Sequence, residues 1–494
     1  MAKHSPVKEQ TKRRGQILAV FSATVLMLVV HALPTVPLLE KSSEAIELTA
    51  DGKACLAILA FAVVLWVTEA VPFAVTALFV FLLIPLFGIA GYETVISTGF
   101  GNPIITFFIG VLILSAGFTR SGLGTRLVLH VLLIFGTRTD RVLLGFLSVG
   151  ALLSMWINNM AVAALLLPLG VGLLKDARLE PASSNFGRAL MIACAFGISI
   201  GGIATPAGTG ANPVAISYLK ELTGADISFL QWMSFGVPAS LLMIPIAWRI
   251  LLRVFPPEIS VLPFECDDIK QKLDALGPPT PIEVKTLVVF MLTIAGWLST
   301  PLLAYLTDGR INPSIHAVAL LGGLALFLPA INVLSWPEAQ ADIEWGSIIL
   351  IVAGLALGVM VYDTGAARWL GLVLLGKFAL APPLLQPFVI VLAVSLLHLM
   401  FTSNTVTSTI IMPILIALAQ DIGLSVWAVA APAAFASSLA FILVTETPAN
   451  VIPYSSGYFS IKDMAKAGLW MMLGAAVCVT AVAAVMGAVP FGGL

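Results

Sequence analysis

Two asparagines, Asn159 and Asn404, each stand nine residues before a proline, Pro168 and Pro413, at the head of an otherwise apolar run. Ser154, Asn158 and Met160 surround the first, and Thr402, Ser403 and Thr405 surround the second. Further along, Gly208, Thr209, Gly210, Ala211 and Asn212 are echoed by Glu446, Thr447, Pro448, Ala449 and Asn450. Upstream, Ser121, Gly122 and Arg126 are echoed by Thr364, Gly365 and Arg368. A helix N-terminus offers free N–H groups and a partial positive charge, which suits an anion. Side-chain amides and hydroxyls there add donors without the desolvation cost of a buried Lys or Arg. The Gly- and Pro-containing loops expose carbonyls instead, and carbonyls with Asn and Ser/Thr oxygens are what a hard monovalent cation such as Na+ takes.

The second half of the chain thus repeats the first at an offset of about 240 residues, and it does so inside apolar sequence. Hydrophobic segments interrupted by Asn, Gly and Pro at corresponding places in two halves mark a secondary transporter whose site lies between broken helices. An unwound stretch persists in hydrocarbon only where it faces a polar cavity or its cargo. The chain is 59% hydrophobic and 10% charged, with a mean hydropathy of +1.04. That leaves too little polar surface for a soluble globule, which carries about 25% charged residues. The expected fold is an all-α polytopic membrane protein of two inverted repeats with re-entrant hairpins and broken helices. Apolar segments at 16–38, 54–67, 234–252, 286–303, 317–328 and 469–486 read as spans or large parts of spans, within roughly eleven crossings in all. Hairpins that do not cross are expected at 99–122 and 345–364, each polar at its start and Gly-rich within.

Residues 1–15 form a basic tail (Lys3, Lys8, Lys12, Arg13, Arg14), 16–255 the first half, 256–283 a polar linker and 284–494 the second half. The linker is expected to be solvated, with room for a short surface helix. The loop after the first span is acidic (Glu40, Glu44, Glu47, Asp51), whereas Lys175, Arg178 and Arg188, and then Arg249, Arg253, Lys270 and Lys272, mark further basic loops. The N-terminus is therefore expected in the cytoplasm and the chain in the cell (inner) membrane, with no cleavable signal. The net charge of −1 specifies no partner. Cys55, Cys194, Cys266 and Cys478 have no metal spacing and read as packing residues. No phosphate-binding loop, dinucleotide fingerprint, zinc-protease motif or nucleophile elbow occurs, so an enzyme, an organic cofactor and nucleic-acid binding have no support.

Several of these residues have plainer alternatives. Asn159 and Asn404 could simply bond a neighbouring helix, Asn212 and Asn450 could make Asx turns, and Ser154 could bond its own helix. Glu69 reads as an interfacial or capping carboxylate, Arg120, Arg126 and Arg368 as surface markers with Asp363 as a partner for one of them, and His398 as a satisfied packing histidine. Glu446 differs, because a carboxylate inside a membrane beside an ion loop is expensive and functional by default.

The chain resembles the divalent-anion/sodium symporters, the carriers of dicarboxylates, citrate and sulfate. The resemblance runs from Gly52 onward and rests on Trp66, Thr68, Glu69, Pro72 and Thr76, then Asn102 with Pro103, Ser121 with Gly122 and Leu123, and Ser199 with Gly201 and Gly202. In the second half it rests on Trp345 with Gly346, Gly354, Gly358, Thr364 with Gly365, Ser403-Asn404-Thr405 and Thr447-Pro448-Ala449-Asn450. It implies paired Ser-Asn-Thr motifs that hold a substrate carboxylate between two Na+ sites, and a transport domain moving like an elevator against a dimeric scaffold. Here the first motif is Asn158-Asn159-Met160, which keeps the central asparagine and loses both hydroxyls. Residues and resemblance together assign a small dianion to Asn158, Asn159, Ser403, Asn404 and Thr405. They assign Na+ to Ser154, Asn159, Gly208, Asn212, Thr402, Asn404, Glu446, Thr447 and Asn450. Sulfate or a sulfonate as the anion, and H+ coupling or anion exchange as the mode, stay open at this point, as does a passive anion channel.

Overall fold

The computed structural model describes residues 6–34, 38–39, 45–46, 48–263, 266–375 and 381–486. The side chains of Lys3, Lys8, Lys12, Glu40, Glu44, Glu47 and Cys266 lie outside those described. After α1 (Pro6–Ala32) and a two-residue ladder pairing Leu38–Leu39 with Ala45–Ile46, the first repeat comprises ten helices. These are α2 (Ala50–Thr68), α3 (Phe73–Leu86), α4 (Tyr92–Phe100), α5 (Ile104–Ser121), α6 (Leu123–Phe135), α7 (Thr139–Ser154), α8 (Asn159–Asp176), α9 (Asn185–Gly202), α10 (Ala211–Thr223) and α11 (Phe229–Val254). The linker carries the surface helix α12 (Cys266–Ala275). The second repeat follows with α13 (Pro281–Leu306), α14 (Ile315–Ala325), α15 (Trp336–Asp342), α16 (Trp345–Asp363), α17 (Ala366–Leu375), α18 (Gln386–His398), α19 (Asn404–Asp421), α20 (Val426–Ala436), α21 (Pro448–Tyr454) and α22 (Ile461–Met486). Each of α2 to α11 thus has a counterpart among α13 to α22.

The repeats are inverted. Thr49, which caps α2, bonds the Thr364 carbonyl (3.0 Å) at one end of the bundle. Glu283, which opens α13, pairs with Arg126 at the other end. That second end also gathers the loops around Leu179, Glu258, Ser260, Tyr458 and Asp463, tied by Tyr458 Oη to the Leu179 carbonyl (2.9 Å), Phe186 N to Glu258 (2.9 Å), Thr139 N to the Ser260 carbonyl (3.1 Å) and Arg188 to Asp463 (3.7 Å). Most of the basic loop residues therefore share one end. The repeats interlock, α5 packing on α14, α16 on α3, α10 on α19 and α21 on α8.

Among the described residues, nine helices are long and apolar enough to cross a membrane. Four of the expected spans, at 54–67, 234–252, 286–303 and 469–486, fall inside such helices; α1 stops at Ala32, short of the expected end at 38, and 317–328 holds only the eleven-residue α14.

The two hairpins expected at 99–122 and 345–364 are corrected. Each segment is dominated by one unbroken helix, α5 with 18 residues and α16 with 19. Their glycines serve close packing rather than breakage. A β-carbon at Gly110 would lie 2.5 Å from the Ala319 backbone, and one at Gly354 2.5 Å from Thr409. The helix–turn–helix pairs are instead α7 with α8 and α18 with α19, and their turns carry the two asparagine motifs.

The expected ion pairing also shifts. Arg120 bonds Asp342 and Glu338, Arg126 bonds Glu283, and Arg368 bonds Asp421, leaving no ion pair for Asp363 among the described residues. Arg126 is 8% exposed and reaches both Glu283 oxygens and the Gly277 carbonyl (3.0 Å). Glu283 also accepts from Thr280 N (2.7 Å), closing the capping box that starts α13. This cluster clamps the linker and both repeats together. Arg126→Met strands the carboxylate and should lower unfolding stability by about 2 kcal/mol, since a hydrogen bond to a charged group contributes about 1.5–3 kcal/mol. Thermal unfolding in detergent checks this, and an unchanged midpoint contradicts the clamp.

Candidate functional site

Four loop-to-helix transitions, two from each repeat, converge on one cavity of about 440 Å³. Asn158, Asn159 and Met160 at the start of α8 line it, as do Gly208, Thr209 and Gly210 before α10, Ser403, Asn404 and Thr405 at the start of α19, and Thr447 with Pro448 at the start of α21. Pro72 to Ala74 at the head of α3, Phe108 of α5, and Glu344, Gly346, Ser347 and Leu350 at the head of α16 complete the wall. Among the described residues no Lys or Arg lines it, and Glu344 is the one ionisable side chain that does.

The helix starts facing this space are mostly left uncapped. Helices α9, α11, α13 and α14 begin with Ser184, Ser228, Thr280 and Ser314, whose hydroxyls accept first-turn N–H bonds. The starts of α10, α19 and α21 have no side-chain cap. At α19 the first-turn N–H groups remain available, whereas α10 and α21 each carry a proline in the first turn (Pro213, Pro448) and turn the Asn212 and Asn450 N–H onto the Thr209 and Thr447 carbonyls (3.2 and 3.1 Å); each start still adds the positive end of a peptide dipole. At α8, Asn158 Oδ1 accepts from Met160 N (2.8 Å).

Behind the cavity the two loops are braced alike. Asn212 Nδ2 donates to the carbonyls of Gly202 and Thr205, both at 2.7 Å. Asn450 Nδ2 donates to the carbonyls of Ala440 (3.0 Å) and Leu443 (3.4 Å), which occupy the same places relative to it. Both asparagines are fully buried, and both leave Oδ1 without a hydrogen-bond partner. Thr402 Oγ1, Asn404 Oδ1 and Ser438 Oγ are likewise buried and unpartnered. An unpaired buried acceptor is costly, and so calls for an explanation such as an ion. These neutral amide and hydroxyl oxygens fit Na+. Among the described residues no group of three or more His, Cys, Asp and Glu side chains could hold a metal of the zinc type.

The assigned residues therefore fall into three sets. Asn158, Asn159, Gly208, Ser403, Asn404, Thr405 and Thr447 line the cavity. Ser154, Asn212, Glu446 and Asn450 sit behind it, buried. Thr402 lines a neighbouring cavity of about 540 Å³ with Glu69, Thr445 and Ser455, and the two cavities share Met160 and Pro448. This second space lies toward the basic end of the bundle, where α2 finishes at Glu69, a residue in left-handed conformation (φ 47°).

Gly208 is required sterically, since a β-carbon there would lie 2.5 Å from the Gly202 carbonyl oxygen and 2.7 Å from that of Ser154. Sequence reasoning missed Phe108, Glu344 and Ser347. Glu344 and Ser347 flank the Trp345-Gly346 pair at the head of an apolar run, a usable signal, whereas nothing local distinguishes Phe108 from other aromatic residues. His398 is buried as expected but not satisfied. It lies beside the carbonyls of Ala436 and Glu446, and neither ring nitrogen makes a hydrogen bond.

Comparison with known proteins agrees with this architecture. Residues 14–489 match the family described as the sodium:sulfate symporter transmembrane region. A sodium-dependent dicarboxylate transporter, SdcS, of Staphylococcus saprophyticus is 33% identical over 444 residues, covering 86% of this chain and 84% of the relative. The protein of the same description from Staphylococcus aureus (strain USA300) is 33% identical over 429 residues, covering 84% of this chain and 82% of the relative. The YdaH transporter of Alcanivorax borkumensis superposes with a TM-score of 0.56 at 15% identity over 97% of this chain and 98% of its own, a likeness of fold. With its family match extending over nearly all 494 residues, this chain belongs to the sodium:sulfate symporter family.

Proposed function

We propose that this protein is a Na+-coupled secondary transporter of a small organic dianion, a dicarboxylate. The observation that carries this reading is the cavity where both asparagine motifs meet, walled by uncapped helix starts and, among the described residues, by no Lys or Arg. A dianion entering a site lined, among the described residues, by Glu344 and by no Lys or Arg needs compensating positive charge. Na+ on the neighbouring oxygens, when bound, supplies it. The donors that meet the anion are the N–H groups at the start of α19 and the side chains of Ser403, Asn404, Thr405 and Thr447, with the dipole of α10 adding to them.

The cavity lies within the range of about 300–1,000 Å³ usual for small-molecule sites, and part of its wall is apolar. Met160, Phe108, Leu350 and Pro448 offer carbon contacts that a dicarboxylate backbone uses and sulfate does not. The loss of the hydroxyl at Met160 removes a polar contact from the α8 side, so the repeat-2 motif carries more of the carboxylate recognition. The 33% identity to sodium-dependent dicarboxylate transporters supports the same substrate class. The gathering of basic loops at one end supports placing that end, and with it the second cavity and the N-terminus, in the cytoplasm of a cell membrane. The inverted repeats and the family resemblance support an elevator motion of a transport unit against a scaffold, within a homodimer.

Two outcomes test this reading. Uptake of labelled dicarboxylates, sulfate and sulfonates into proteoliposomes, with Na+ and pH gradients imposed separately, should show concentrative dicarboxylate uptake that follows the Na+ gradient. Uptake driven by pH alone, or equilibration without accumulation, contradicts it. Asn159→Ala or Asn404→Ala removes a donor from a desolvated site at a cost of about 1–3 kcal/mol, so apparent affinity should fall about fivefold to about a hundredfold. Wild-type kinetics in both variants would remove these residues from the site.

A further inference from the structure

The two cation loops are built on one plan and differ in three places. In the first repeat, Asn159 Oδ1 accepts from Ser154 Oγ at 2.5 Å, and that hydroxyl also reaches the Ile198 carbonyl (2.8 Å). In the second, Asn404 Oδ1 has no partner, and its amide nitrogen lies 3.5 Å from the Ser438 carbonyl. Ile200 in the first repeat corresponds to Ser438 in the second, counting back equally from Asn212 and Asn450. The Ser438 hydroxyl is a buried oxygen without a partner. By the same count Gly208 corresponds to Glu446. No side chain fits at Gly208, whereas Glu446 is 2% exposed and turns its carboxylate onto its own loop, accepting from Leu443 N at 2.8 Å. Asn450 holds the carbonyl of that same Leu443. The Glu446 carboxylate and the Asn450 amide nitrogen therefore hold the N–H and the carbonyl of one residue, on the loop that the unpartnered Asn450 oxygen shares. No Lys or Arg forms an ion pair with Glu446 among the described residues.

We infer that the two Na+ sites are unequal: the second-repeat site, formed around Asn404, Ser438 and Asn450 with the charge of Glu446, is the tighter one and fills first. The inference rests on the Na+-coupled reading above. The first-repeat loop offers neutral oxygens, one of which already has a protein donor. The second offers more unpartnered oxygens and a buried carboxyl on the same loop, and a carboxylate that ionises beside a bound cation in a poorly solvated site is a large term. Filling the second site first also places positive charge beside Ser403, Asn404 and Thr405 before the anion arrives.

Thermal unfolding of the purified full-length protein, without substrate, across a Na+ titration at constant ionic strength with choline reads this directly, because an ion that binds the folded state raises its midpoint. Wild type should show stabilisation in two steps, and Glu446→Gln should raise the Na+ concentration of the first step by about tenfold or more. Ser438→Ala, which deletes one neutral ligand, should raise it by about two- to about tenfold, since a neutral contact contributes about 0.5–1.5 kcal/mol; this variant keeps the inference testable if Glu446→Gln does not fold. Ser154→Ala should move only the second step. If Na+ stabilises wild type, and Glu446→Gln and Ser438→Ala leave the first step in place while Ser154→Ala shifts it, the inequality is overturned and the Na+-coupled reading stands. If Na+ stabilises no form of the protein, both fall.

Discussion

Backbone polar groups in hydrocarbon must find partners, and the rest of this structure follows from how that demand is met at four interruptions. A helix that stops in mid-membrane exposes N–H and C=O groups that water cannot reach. Asn212 and Asn450 meet part of the demand by clamping two loop carbonyls each. The groups left over face a common cavity or remain as unpartnered buried oxygens. In the reading proposed above those leftovers bind cargo: N–H groups at the start of α19 for an anion, and oxygens behind the cavity for cations. The selectivity of the site is thus a consequence of which backbone groups the fold leaves unpaired.

Much of this was legible in the sequence because polar residues in apolar runs are few and the repeat supplies an internal control. The Asn159/Asn404 and Asn212/Asn450 pairs could be matched by spacing alone, and the structure brings the first pair to the cavity wall and the second directly behind it. The hairpins were misplaced for a definite reason. Glycine in an apolar run reads equally as a break or as a close helix contact, and at Gly110 and Gly354 it is the contact, with Ala319 and Thr409. That distinction depends on a neighbour more than fifty residues away in sequence, which no local pattern reports. Phe108 was missed likewise, because it reaches the cavity through the packing of α5 and not through any motif, whereas Glu344 stands beside the Trp345-Gly346 pair at the head of α16, a signal that went unused.

The repeats share a frame and differ in chemistry. Replacing a hydroxyl by the Met160 thioether makes the α8 side of the cavity less polar, and placing Glu446 where the first repeat has Gly208 gives the second loop a buried carboxyl. An inverted repeat constrains the positions of the groups but not their identities. One frame can therefore hold a carbon skeleton on one side and charge on the other. Arg126 and Glu283, joining the linker to both repeats, hold those halves in register at the basic end of the bundle.

The central claim is that cation and anion bind to one set of convergent helix starts and depend on each other for charge balance. Linkage requires such dependence to be reciprocal at equilibrium. Succinate binding to the purified protein, measured calorimetrically at a series of Na+ concentrations with choline as the replacement ion, tests it most directly. The account predicts that the succinate Kd falls steeply as Na+ rises and that binding is lost without Na+; a succinate Kd that is the same with and without Na+ would contradict it.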